Sequence, residues 1–134
     1  MLPFIALGGA VGTAAREGIA LALPATGGFP VATLTVNLVG AFLLGLLVEA
    51  LARRGGDTGR LRTLRLTLGT GVLGGFTTYS AFATDTALLL GDAPAVAVGY
   101  AVMTVVVGAA ATLAGVTVGA SRRRGAVPPP EPDR

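Results

Sequence analysis

A chain of 134 residues fits one domain, but 52% of it is hydrophobic, only 13% is charged and its mean hydropathy is +0.75, the balance of a chain whose main solvent is lipid. It contains neither cysteine nor histidine, which excludes disulfides, thiol and imidazole catalysis and the usual zinc sites, so no enzymatic activity is expected. The net charge of +3 rests on ten arginines and no lysine; they flank apolar runs instead of forming a nucleic-acid face, so nucleic acid is not an expected partner.

Four apolar runs follow in chain order, each near or above the roughly 20 residues a spanning helix needs. The first predicted helix covers about residues 2–23 and closes at the turn residues of PATGGFP. A cleaved signal peptide is the competing reading, and the lack of any preceding basic residue weighs against it. The second helix is predicted over 31–52, ending at the loop RRGGD, and the third over 64–90, ending at GDAP. The fourth covers 95–120. Residues 1–120 thus make one four-helix, all-α membrane domain, and the basic, proline-rich tail 121–134 is expected to be disordered.

Small residues recur at four-residue spacing, as Gly8 with Gly12, Ala41 with Gly45, Gly71 with Gly75 and Gly115 with Gly119. In lipid such faces let helix backbones approach and pack by dispersion. Four short helices offer little interior for polar groups, so the polar residues of the second and third helices point to an oligomer.

On the second helix Thr33 and Asn37 share a face. An asparagine there serves equally well as interhelical glue or as a donor for something that passes. The third helix carries GGFTTYSAF, two glycines followed by Thr77, Thr78 and Ser80, and Thr84 a turn later. Hydroxyls so dense beside a glycine pair predict a local break. Irregular backbone at membrane depth is tolerated only where protein buries it or water reaches it, and its freed carbonyls suit a cation. Phe76, Tyr79 and Phe82 recur every three residues, as a packing stripe or as ring edges turned to an anion. No basic side chain lies on the stretch that carries them. Glu49 and Arg53 have the i,i+4 spacing of a helix-end ion pair, and Glu17 beside Arg16 reads as an interfacial pair or a solvated helix end.

The stretches GGAVGTAAR, TLTVNLVGAFLLG and GTGVLGGFTTYSAF resemble, in order and spacing, the three signature regions of the small fluoride channels, the Fluc or CrcB family. The resemblance implies a four-helix subunit with a break in its third helix, paired as an antiparallel dimer with two fluoride pores and a structural sodium ion on the two-fold axis. It implies passive release of cytoplasmic fluoride. Asn37 resembles the pore asparagine, Tyr79 and Phe82 the paired phenylalanines, and Thr77, Thr78 and Ser80 the hydroxyl track. Tyr100 and Thr104 resemble the polar pore face of the fourth helix. Arg16, Thr33 and Asp85 resemble vestibule residues, and the backbone carbonyls of Gly74 and Thr77 resemble the sodium ligands. Tyr79 departs from the usual phenylalanine and adds a hydroxyl that needs a partner.

Two other readings are a small four-helix multidrug exporter and a non-conducting assembly subunit. The exporter needs a carboxylate deep in the first helix, whereas residues 2–15 are uncharged; the packing faces of an assembly subunit do not require Asn37 and the hydroxyl cluster together. Orientation follows from arginine placement. Arg53, Arg54, Arg60, Arg62, Arg65, Arg122, Arg123, Arg124 and Arg134 fall on the side of both termini, and Arg16 alone lies near the other, which predicts cytoplasmic termini. So fixed a bias predicts an antiparallel heterodimer with a paralogous subunit, the alternative being a homodimer that inserts both ways.

Overall fold

Proline opens the first and last of the long helices, at the one place where its missing N–H is not needed. Pro3 stands in the first turn of α1 (Leu2–Ala22), and α6 (Pro94–Ser121) begins at Pro94. The computed structural model describes residues 1–23, 28–55 and 58–121. Between α1 and α6 lie α2 (Val31–Ala52), α3 (Gly59–Arg65), a π-helical segment (Leu66–Leu73), α4 (Gly74–Phe76) and α5 (Tyr79–Asp92). Helices supply the regular structure of the described residues, and α1, α2 and α6 are each long and apolar enough to cross a membrane.

The predicted second helix has the observed bounds, while the third apolar run is longer and less regular than hydropathy suggests. Helical structure begins at Gly59, in a polar turn where Thr63 Oγ1 donates to the Gly59 carbonyl at 3.2 Å, and ends at Asp92. Apolar counting misses such ends because helix termini at a membrane surface are polar. Most of the PATGGFP turn, part of the RRGGD loop and the whole tail, with Arg122, Arg123, Arg124 and Arg134, lie outside the described residues.

Two glycine seams hold the helices together. Along the first, α1 lies on the π segment and α4 so closely that a Cβ on Gly8 would stand 2.6 Å from the Thr67 carbonyl oxygen, and one on Gly12 would strike the Val72 carbonyl. Along the second, α2 lies on α6, with Gly45 against the backbone of Thr112 and Gly115 against that of Phe42. Apolar burial between helices is weak in lipid, so these approaches supply the packing. Among the described residues the buried hydrophobic side chains are few: Val36, Leu51, Leu73, Phe76, Ala97 and Tyr100. Large apolar residues such as Leu2, Leu21 and Val105 face outward, as a lipid solvent requires.

Candidate functional site

The third run stops being helical at two residues. Thr77 (φ −77°, ψ 156°) and Thr78 (φ −146°, ψ 113°) are extended between α4 and α5. The Thr77 amide and hydroxyl both donate to the Leu73 carbonyl at 2.9 Å, finishing α4. Thr78 turns to α2 instead. Its amide donates to Asn37 Oδ1 at 2.8 Å, and its carbonyl accepts from Asn37 Nδ2 at 3.0 Å. One side-chain amide thus satisfies both backbone groups of an extended residue, which otherwise would cost several kcal/mol in lipid (order of magnitude).

The Thr78 hydroxyl then caps α5, accepting from the Ala81 amide at 3.1 Å, and lies 3.2 Å from the Ser80 hydroxyl. These contacts decide which carbonyls are released. In an unbroken helix the Thr78 amide would bond to the Gly74 carbonyl, and the Ala81 amide to that of Thr77. Asn37 takes the first amide and the Thr78 hydroxyl takes the second. The Gly75 carbonyl is met from α1 by Thr13 Oγ1 at 3.4 Å. A cavity of about 280 Å³ is lined by Asn37, Gly40, Gly74 and Thr77, and the Thr77 methyl fills the space that a side chain on Gly40 would occupy.

The glycine pair is not itself the break. Gly74 and Gly75 are helical, and Gly75 serves close packing, since a Cβ there would collide with the backbone of Gly9. The break falls two residues later, where a neighbouring helix offers an amide side chain.

Beyond the break the aromatic residues form a ladder. Tyr79 and Phe82 have centroids 6.0 Å apart at 47°, Phe82 and Tyr100 5.6 Å apart at 38°, and Phe29 meets Tyr100 edge-on at 5.6 Å and 86°. Tyr79 is 81% exposed, whereas Tyr100 is only 1% exposed. Thr104 is buried beside it and donates to the Tyr100 carbonyl at 2.7 Å. The Tyr100 hydroxyl and Asp85 Oδ2 are buried without a hydrogen-bond partner among the described residues.

A separate recess of about 430 Å³ brings Arg16, Thr33 and Asp85 together, the three positions expected at a vestibule. Glu17, Thr78, Ser80 and Thr84 share its wall. Glu17 is exposed, and no ion pair joins it to Arg16 among the described residues. Glu49 and Arg53 do pair, as their spacing predicts. Three residues of the site escaped the sequence: Thr13, Phe29 and Gly40. Gly40 carries the only advance signal, standing at i+3 from Asn37 on the same helix face.

The fold and site define an all-helical, multi-pass membrane protein built around a clamped helix break. The chain belongs to the CrcB-like family, whose description reads "CrcB-like protein, Camphor Resistance (CrcB)" and whose model matches residues 3–116. It is 52% identical over 116 residues to the fluoride-specific ion channel FluC 2 of Leifsonia xyli subsp. xyli, covering 86% of this chain and 80% of the relative. It is 50% identical over 117 residues to fluoride-specific ion channel FluC of Paracoccus denitrificans, covering 86% and 90%. The protein of that name from Deinococcus radiodurans is 45% identical over 121 residues, covering 87% and 93%.

Proposed function

We propose that this chain is a subunit of a fluoride-selective channel that lets cytoplasmic fluoride leave the cell passively. The observation that carries the reading is the Asn37 clamp on Thr78, which holds a helix open beside a ladder of ring edges with no basic side chain between Leu66 and Asp92. The names of the relatives give the ion. In this reading the third run is the fourth crossing, broken at mid-membrane, and two subunits pair antiparallel. The 81% exposure of Tyr79 supports a second subunit completing that face.

Outgoing fluoride meets the second N–H of Asn37, the hydroxyls of Thr78 and Ser80 and the positive ring edges of Tyr79, Phe82 and Tyr100, and leaves through the recess of Arg16, Thr33 and Asp85, which lies on the side away from the termini. Thr104 keeps the Tyr100 turn in place. A site of hydroxyls, one amide and ring edges returns the dehydration cost only of a small anion that accepts strong hydrogen bonds, which disfavours chloride.

The released carbonyls fit the structural sodium ion that the family implies. Gly74 and Thr77 are two of the residues whose carbonyls lose their helical amides at the break, and both line the cavity beside Asn37; among the described residues no group of three or more acidic, histidine or cysteine side chains offers a competing metal site. Neutral backbone oxygens, contributed by two subunits, suit a weakly demanding monovalent cation, which would tie the two breaks together.

Both termini are cytoplasmic in this reading, because nine arginines lie on their side and only Arg16 near the other. The partner is then a paralogous subunit of opposite bias, a reading supported by relatives with numbered names, FluC 2 in Leifsonia xyli and FluC 1 in Cutibacterium acnes. Reporters fused to the C-terminus should show one orientation, and substantial populations on both sides of the membrane would return the assembly to a homodimer. The central test is fluoride efflux from liposomes holding the assembled dimer. Fluoride should leave and chloride should not; absence of fluoride flux from the correctly paired dimer would sink the function.

A further inference from the structure

A second groove lies on the Arg53 side of the break. About 470 Å³ of open groove runs between α2, the π segment and α6. Its walls are aliphatic, with Leu43 and Leu47 from α2 facing Leu68 and Val72, and its rim carries Arg53 and Arg54. From Leu43 to its end at Ala52, just short of the two arginines, the helix rises roughly 14 Å at 1.5 Å per residue. One leaflet of hydrocarbon is about 15 Å deep, half of a typical core.

The two arginines are not equivalent. Arg53 is held at the rim by its ion pair with Glu49 and is neutralised there. Arg54 is exposed and has no ion-pair partner among the described residues. The groove therefore ends in one guanidinium without an ion-pair partner among the described residues, above a slot about as long as one leaflet is deep.

We propose that this groove binds one anionic phospholipid, its phosphate on Arg54 and Arg53 and one acyl chain between α2 and the π segment. The proposal rests on the membrane-spanning reading of α2 and α6, though not on the ion conducted. Basic pockets between helices at a membrane surface hold acidic headgroups by charge-assisted hydrogen bonds, and the apolar walls add the tail. A zwitterionic lipid fills the slot equally well but leaves Arg54 facing a headgroup with no net charge. A bound lipid at this position braces the π segment against α2, on the side opposite to α1.

The test uses the full chain in its assembled state, exchanged into phosphatidylcholine vesicles containing or lacking phosphatidylglycerol, with retained lipid counted by native mass spectrometry. One tightly held phosphatidylglycerol per chain is expected, and its midpoint for thermal loss of the dimer should rise with that lipid. Arg54→Ala should weaken retention about fivefold, the worth of one arginine at an anionic surface. Leu47→Trp, which fills the slot, should abolish retention, while Arg60→Ala, away from the groove, should not. Equal retention of the two lipids, unchanged retention in both groove variants, or displacement by inorganic phosphate alone would overturn the proposal. So would dissociation of the dimer by Leu47→Trp with lipid retention intact, which would assign the groove to a second copy. Fluoride efflux from the wild-type vesicles checks the channel reading separately.

Discussion

The third apolar run and α6 carry similar hydroxyls and similar glycines, yet one breaks and the other runs unbroken for 28 residues. In α6 every threonine turns back on its own helix, Thr104 to the Tyr100 carbonyl, Thr112 to that of Gly108 and Thr117 to that of Ala114. Thr77 and Thr86 of the broken run do the same, with Leu73 and Phe82. Hydroxyl density therefore does not break a membrane helix. The difference is Thr78, whose amide and carbonyl are claimed by Asn37 from another helix and whose hydroxyl claims the amide of Ala81. A helix opens in lipid where outside groups take its amides, because only then is the released backbone not orphaned.

The largest effect is expected from Asn37→Asp. Asp keeps an acceptor for the Thr78 amide, loses the donor to the Thr78 carbonyl and sets a negative charge beside the path. Fluoride flux should fall about 100-fold, equivalent to roughly 2.7 kcal/mol of barrier, with the dimer still forming. Flux at the wild-type rate would reduce Asn37 to a packing residue. Phe82→Ile comes next. It keeps apolar volume between Tyr79 and Tyr100 but removes a polarised ring edge, and flux should drop about tenfold, a loss of roughly 1.4 kcal/mol. Unaltered efflux would mean that the ladder only packs.

Much of this contrast could be anticipated from residue types, and its geometry could not. The four apolar runs, the bounds of α2 and the neighbourhood of the break follow from hydropathy and from GGFTTYS. The Asn37 clamp does not, because its two ends are 41 residues apart and only packing of α2 on the third run joins them. The π segment left no mark on the apolar period either. It shows in the bond from the Gly74 amide to the Gly69 carbonyl, in a stretch where Gly71 and Gly75 let α1 lie against the backbone. The grouping of Arg16, Thr33 and Asp85 came from family resemblance; spacing alone would not have joined residues from three helices.

A pair of stability variants, one of them with the smallest effect expected, sharpens the contrast most. Thr78→Val and Thr112→Val make the same chemical change, a hydroxyl for a methyl at nearly constant volume. At Thr78 the change strips the cap from α5 and leaves the Ala81 amide without its acceptor, at a cost of about 1 kcal/mol for the cap and up to about 3 for a buried unpaired donor. At Thr112 the hydroxyl only shares the Gly108 carbonyl, lying 3.0 Å from it, so no group is orphaned when it goes. That variant should fall within about 0.5 kcal/mol of wild type, as surface-like changes do. Chemical unfolding of the two variants in the same detergent, each against wild type, measures the difference directly. A Thr112→Val loss as large as that of Thr78→Val would mean that back-bonded hydroxyls hold these helices together, and that the break differs from α6 in degree only.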